Sequence, residues 1–173
     1  MPSFFFAFFY RFALLALVLL ALSGRAAAVE PLTTYDIVLL QPDEVMKARV
    51  PSVDAFGEYI RALQRQARLP GPGAAGSGFV VVGIRPGGKS RFWLDFDAPA
   101  PSAALGELLV KQLQAVPAPP VQGGAVVFAL KVGLWGGKPS ARVAPAPAAW
   151  KAAAAKAGHP IDPGELAELT WNE

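Results

Sequence analysis

The hydrophobic positions of the chain recur with two different periods, and these periods predict helices and strands in a definite order. Apolar residues recur at intervals of three and four after Ser52 and again after Ser102, as in an amphipathic helix, and each serine is placed to cap its helix. The predicted buried stripes are Phe56, Tyr59, Ile60, Leu63 and Ala67 in the first helix, and Leu105, Leu108, Leu109, Leu113 and Val116 in the second.

Two predicted strands, over residues 79–85 and 89–96, flank Pro86-Gly87-Gly88. A three-residue loop with a left-handed Gly88 pairs Val82 with Phe92 and Val80 with Leu94, which gathers apolar side chains on one face. A two-residue Gly-Gly turn would mix apolar and charged side chains on one face, so we favour the three-residue loop.

The most regular alternation lies in residues 125–135, which we predict as the last strand. One face of this strand holds Val126, Phe128, Leu130, Val132 and Leu134, and the other holds Ala125, Val127, Ala129, Lys131 and Gly133. The order helix, strand, strand, helix, strand predicts an α+β domain over residues 52–137. Its architecture is a two-layer sandwich, a three-stranded antiparallel sheet with both helices on one face.

Weaker patterns flank this domain. Residues 29–51 form an N-terminal segment with a candidate short strand over 35–40. Residues 138–173 form an Ala/Pro-rich linker followed by two short helices, over 150–157 and 163–169. Helices of this length are not stable alone in water, so we expect them either to dock on the domain or to form a flexible tail.

The amino terminus has the pattern of a secretory signal peptide over residues 1–28. Arg11 precedes an unbroken apolar run, and Ala26-Ala27-Ala28 provides the small residues of a cleavage site. This predicts export to the periplasm. The alternative is an uncleaved anchor over residues 4–22, which would hold the domain at the inner membrane.

Composition narrows the function further. The 173-residue chain has no Cys and a single His, which excludes disulfides, thiol chemistry and His-rich metal sites, and an exported chain without Cys fits a bacterial envelope. Cleavage after Ala28 would remove Arg11 and Arg25 and leave the chain nearly neutral, so we expect no nucleic-acid partner, and membrane contact only if the amino terminus is retained.

Several motifs resemble catalytic or nucleotide sites without their structural context. Residues 83–90 match the phosphate-loop pattern and residues 71–76 the dinucleotide pattern, but neither lies between a strand and a following helix. Asp95 and Asp97 share a strand face and are interpreted as a solvated strand end, and His159 as a loop residue. We therefore expect no enzyme, no cofactor and no metal.

Two surface features remain as candidate contacts. Trp93 belongs to the sheet face opposite the helices, where it would either contact a partner or be covered by a helix or the tail. Arg61, Arg65 and Arg68 lie together on the polar side of the first helix, where a solvated face is the default interpretation.

The order and spacing of these elements resemble the carboxy-terminal domain of the TonB and TolA envelope proteins. The matching segments are EYIRALQRQ, FVVVGIRPGGK, SAALGELLVKQL, VPAPPV and AVVFALKV, which cover about 80 residues between Phe56 and Trp135. The resemblance implies the same sandwich fold. This chain differs in its short spacer and in the tail that follows residue 149.

The resemblance also implies a function, the binding of envelope proteins, whose identity stays unknown. Domains of that family pair their last strand with an extended segment of the partner, and a strand at a sheet edge has the free backbone groups for this. The matching positions here are Val126, Val127, Phe128, Ala129, Leu130, Lys131 and Val132. The alternative role is that of a membrane-anchored transducer or assembly factor.

Overall fold

One antiparallel sheet organises the protein. Its strands are β1 (Leu32–Leu39), β2 (Gly76–Arg85), β3 (Lys89–Phe96) and β4 (Val126–Leu134). They lie side by side in the order β1-β4-β2-β3, so that β1 and β3 form the two edges. This computed structural model describes residues 30–172, and the predicted signal peptide lies outside the described residues.

Five helices accompany the sheet in residues 30–172, and the predicted α+β class is confirmed. They are α1 (Asp43–Arg49), α2 (Val53–Gln66), α3 (Ala103–Gln114), α4 (Ala148–Ala157) and α5 (Pro163–Leu169). The Ser52 hydroxyl oxygen accepts a bond from the Ala55 amide at 3.2 Å, which starts α2 as predicted. The Ser102 hydroxyl accepts one from the Leu105 amide at 3.4 Å and starts α3 in the same way.

The hairpin between β2 and β3 has the predicted register. Val82 lies opposite Phe92 and Val80 opposite Leu94, and Arg85 pairs with Lys89 across a three-residue loop. Gly88 has a φ of 72°, the left-handed conformation that glycine adopts at little cost. The side-chain pattern was therefore sufficient to choose between the two loop lengths.

The first face of the sheet is covered by α1, α2 and α3. Tyr59, Ile60 and Leu63 of α2, together with Leu109 and Leu113 of α3, pack on the alternate apolar residues of the sheet. The sheet contributes Val80, Val82, Ile84, Phe92, Val126, Phe128, Leu130, Val132 and Leu134. This is the core that the periodicity predicted, except that Leu108 of the predicted stripe is only partly buried and does not belong to it.

The second face of the sheet is covered by the carboxy-terminal helices. Trp150 of α4, Leu166 of α5 and Trp171 pack in one cluster with Phe79 and Trp93 of the sheet. Gly83 makes room for this cluster, because a Cβ there would lie 3.0 Å from Trp93 and 3.1 Å from Trp171. The predicted two-layer sandwich was therefore incomplete, since helices lie on both faces of the sheet.

Two elements extend the predicted architecture. β1 adds a fourth strand to the three that were predicted, and it begins at Leu32, earlier than the candidate strand over 35–40. α1 was not predicted, because its seven residues are too few for the helical period to appear and Pro42 before it provides no side-chain cap. None of the helices in residues 30–172 is both long and apolar enough to cross a bilayer.

Candidate binding edge of the sheet

β4, the strand predicted to bind a partner through its edge, is an inner strand. It pairs with β2 on one side, from Ile84 opposite Val126 to Gly76 opposite Leu134. On the other side it pairs with β1, from Leu39 opposite Phe128 to Leu32 opposite Leu134. The predicted partner pairing required β4 to lie at a free edge. In the structure β1 occupies that side of β4 instead. The residues predicted to pair with the partner were Val126, Val127, Phe128, Ala129, Leu130, Lys131 and Val132.

A side chain extends this coverage past the end of β1. The Gln41 amide oxygen accepts a hydrogen bond from the Val127 N–H at 2.9 Å, and its amide nitrogen donates to the Ala125 carbonyl at 3.2 Å. The Arg49 guanidinium donates to the same carbonyl at 2.6 Å. The Gln41 side chain thus bonds to the β4 backbone as a further residue of β1 would. The start of β4 is therefore also closed to a partner strand.

β1 is the strand that forms this edge of the sheet. Its residues continue two lines of apolar side chains that cross all four strands on the α2 side. The Phe128 row consists of Phe92, Val82, Phe128 and Leu39. The Leu130 row consists of Leu94, Val80, Leu130 and Ile37.

Both rows end on exposed side chains at β1. Leu39 is 47% exposed and Ile37 is 41% exposed, while Phe92 at the far end of the Phe128 row is 4% exposed. Within residues 30–172 no further strand pairs with the outer side of β1. An apolar row that stops half-exposed at an open edge is a surface to which another strand adds favourably.

The backbone of β1 is irregular near the middle of the strand. The pairing with β4 shifts between Thr34 and Asp36, so Tyr35 is the extra residue of a bulge. The Tyr35 hydroxyl donates to the Gly137 carbonyl at 2.6 Å, which fixes the exposed ring. The Asp36 carboxylate accepts from the Ile37 N–H at 2.8 Å, so this amide is directed away from β4.

A groove separates the first half of β1 from the last turns of α2. Its volume is about 490 Å³, and its polar walls include Thr33, Thr34, Arg61, Gln64 and Arg65. Arg61 is held by Glu58 at 2.7 Å, while Arg65 forms no hydrogen bond or ion pair with the residues that the structure describes. We call this feature the edge groove. It contains two members of the predicted basic stripe, and Arg68 lies outside its walls.

Trp93, the other candidate contact, is covered by the tail rather than free to meet a partner. Its ring centroid lies 5.7 Å from that of Trp150 and 6.1 Å from that of Trp171, and the residue is 6% exposed. Arg85 adds a cation–π contact, with its Cζ 4.0 Å from the Trp171 ring. The alternative in which the tail covers Trp93 is confirmed.

Asp95 and Asp97 are not a solvated strand end, because the linker folds back onto them. The Arg142 guanidinium lies 2.6 Å from Asp95 Oδ2 and 2.7 Å from Asp97 Oδ1, and Ser77 donates to Asp97 at 2.8 Å. Burial acts to raise the pKa of Asp97, but hydrogen bonds from Ser77, Ser140 and Arg142 outweigh it and lower the pKa below its usual value. The pair therefore anchors the linker.

The remaining motifs stay apart from the edge. His159 is exposed in the loop after α4, with Nδ1 3.0 Å from the Pro160 carbonyl oxygen. The phosphate-loop match at residues 83–90 is the hairpin between β2 and β3, and the match at residues 71–76 lies in the loop that leads into β2. No group of three acidic or histidine side chains in residues 30–172 is arranged to hold a metal ion.

The sequence signal for this edge was the short apolar run that predicted a candidate strand over 35–40. The polar Thr33 and Thr34 concealed the start of that strand. Strand order depends on long-range pairing, which the local pattern does not encode. The pairing of Arg142 with Asp95 and Asp97 could not be predicted either, because Arg142 lies in a linker without a periodic pattern.

A comparison with protein-family models finds no match to this chain. Searches of the curated proteins and of the solved structures also find no significant similarity.

Proposed function

We propose that the chain is an exported protein-binding module of the bacterial envelope that adds an extended segment of a partner to the outer edge of β1. The observation that carries the proposal is that the Phe128 row and the Leu130 row both end half-exposed at this edge. This keeps the binding mode that the TonB/TolA resemblance implies and moves it from β4 to β1.

The physical gain from such an addition has two parts. Backbone groups on the outer side of β1 would pair with the partner, as in other cases of β-strand addition, and the Ile37 N–H would exchange the Asp36 carboxylate for a carbonyl of the partner. The exposed parts of Ile37 and Leu39 would also be removed from water, and full burial of such a side chain contributes about 1.5–3 kcal/mol. Since each side chain is already more than half buried, the gain is about 1 kcal/mol apiece.

The opposite edge of the sheet is a poorer candidate. The apolar rows end there at Phe92, which is buried, and at Leu94, which packs so close to α3 that a Cβ added at Gly106 would lie 3.1 Å from its Cδ1. β3 also carries Lys89 and Arg91, and charges on an edge strand oppose pairing with a further strand. The proposal therefore names one edge of the two.

The test places a photo-crosslinking residue at Leu39 and expresses the chain in its native envelope. We expect an adduct with a specific envelope protein, attached within an extended segment. The change Ile37→Pro in the same chain should abolish the adduct, because it removes an N–H that does not pair with β4 and blocks the outer edge.

Leu169 provides the matched control. It is 54% exposed, but it lies on α5, on the other face of the sheet. A crosslinker at Leu169 should give only background adducts. If Leu39 and Leu169 give the same adducts, or if Ile37→Pro leaves the Leu39 adduct unchanged, the proposal is wrong.

The second candidate is a membrane-anchored transducer or assembly factor with a TonB/TolA-like domain. It is favoured by the apolar run over residues 4–22, which would serve as an anchor if it were retained. The intact mass of the chain recovered from its native envelope separates the candidates. A mass that begins at Val29 supports the exported module, and a mass that includes Met1 supports the anchored one.

A further inference from the structure

We infer that the segment bound at β1 carries two apolar residues and one acidic residue in succession on its α2-facing side. This inference rests on the proposed function and gives the chemistry of the partner. In an added strand every second side chain would face α2. Its two apolar residues would lie beside Leu39 and Ile37, and the acidic residue would lie in the next row, beside Thr34.

The position of the acidic residue follows from the register of β1. The row after that of Ile37 contains Thr34, opposite Val132, and Thr34 lines the edge groove. Arg61 and Arg65 form the opposite wall of the same groove. A carboxylate in this row would therefore enter a space with two guanidinium groups, which favour carboxylates as bidentate partners.

Arg65 is the more available of the two cations. The Arg61 guanidinium donates to Glu58 at 2.7 Å, whereas Arg65 has no hydrogen bond or ion pair with the described residues. The Thr34 hydroxyl oxygen, also on the groove, is buried and finds no hydrogen-bond partner within residues 30–172. That buried hydroxyl is closed to a ligand in the groove, so the charge preference depends on the two guanidinium groups.

The charges around the edge groove oppose a basic segment in the same place. Glu30 is the acid that lines the groove, and Glu58 is already occupied by Arg61. A lysine side chain in the Thr34 row would face Arg65 across the groove. The same surface therefore selects among extended segments by the sign of one charge.

The experiment uses the exported chain, purified as the cell processes it, and three synthetic peptides of about ten residues. The first peptide presents Val, Val and Glu on one face and Thr on the other. The second has Lys in place of Glu. The third repeats the first with N-methylated amides at alternate positions, which prevents strand pairing. Binding is measured by fluorescence anisotropy and mapped by NMR shifts at β1.

We expect the first peptide to bind most tightly and the third not to bind. Arg65→Glu should weaken the first peptide about tenfold and strengthen the second, and added salt should reduce both effects. Arg68→Glu is the matched control, because it makes the same charge change outside the groove and should leave the preference unchanged.

The outcomes separate the inference from the proposed function. If the first two peptides bind equally and Arg65→Glu has no effect, the acidic preference is wrong while edge pairing stands. If no peptide shifts β1 resonances, edge pairing fails as well. If sedimentation instead reveals a dimer that Ile37→Pro dissociates, the occupant is a second copy of this chain and the inference is overturned.

Discussion

The two edges of the sheet end the same apolar rows in opposite ways. At β3 the Phe128 row ends on Phe92, which is buried, and the linker is pinned to the same strand through Asp95. At β1 the row ends on Leu39, which is nearly half exposed. The β3 edge is therefore covered by other parts of the chain. The β1 edge leaves apolar side chains exposed, and a further strand would cover them.

The difference shows that an edge strand is protected by what surrounds it as well as by its own residues. β3 combines charged side chains with cover from α3 and the linker. β1 has Asp36 and a bulge, both of which discourage uncontrolled pairing, yet it keeps an apolar row. Four predictions, ordered by size, test this comparison.

The largest effect on stability is expected from Phe92→Ala at the buried end of the Phe128 row. Removal of this buried ring leaves a cavity between the sheet and the helices, and the free energy of unfolding should fall by about 3–5 kcal/mol. Leu39→Ala, at the open end of the same row, should cost about 1 kcal/mol or less. Urea unfolding of both variants measures the contrast, and equal losses would contradict it.

A smaller effect is expected from Arg142→Ala, which releases the linker from β3. The guanidinium contacts both Asp95 and Asp97 but is partly exposed, so we expect a loss of about 2 kcal/mol. Hydrogen exchange should accelerate at β3 and in α4 while it stays unchanged at β1. Lys138→Ala, an exposed change in the same linker, is the control. Faster exchange at β1 would show that the two edges are not independent.

The third prediction concerns acid. The pKa of Asp97 is lower in the folded chain, so its carboxylate stabilises the fold above the unfolded pKa of about 3.9, and this contribution disappears as the pH falls through the folded value. Asp97→Asn should therefore be less stable than the parent at neutral pH. The gap should close at low pH in denaturant titrations, and a gap that stays constant with pH would contradict the role of this carboxylate.

The smallest effect on stability is expected from Ile37→Lys at the open edge. The side chain is 41% exposed, so the free energy of unfolding should change by about 1 kcal/mol or less. Adduct formation from a crosslinker at Leu39 should nevertheless be lost, since a charge on an edge strand opposes addition. A variant that unfolds, or that still captures the partner, would refute the assignment of this edge.

The sequence predicted the individual strands and helices better than their positions in the fold. The period of two in residues 79–96 was enough to set the register of the β2–β3 hairpin, because only one loop length gathers the apolar side chains. No local pattern indicates that β1 lies beside β4, since these strands are separated by most of the domain. The error about the free edge follows from this long-range pairing.

The carboxy-terminal helices illustrate the same limit. The boundaries of α5 were predicted at the residues where they are found, because Asp162 and Pro163 provide a strong helix start. Its docking on the second face depends on Gly83, Trp93 and Trp171 fitting together, and that fit is a property of the folded surface. The candidate site is affected in the same way, because it is defined by the outer side of β1, where no further strand of residues 30–172 pairs.

The order of the strands also determines when each one finds its pairing partner during synthesis. Among the strands of residues 30–172, β1 is the first to be synthesised, and its pairing partner β4 is the last. β2 and β3 can close their hairpin at once, while β1 must wait until nearly the whole domain has been delivered. In that interval both sides of β1 are open, so the strand that pairs last within the sheet is exposed to other chains for the longest time.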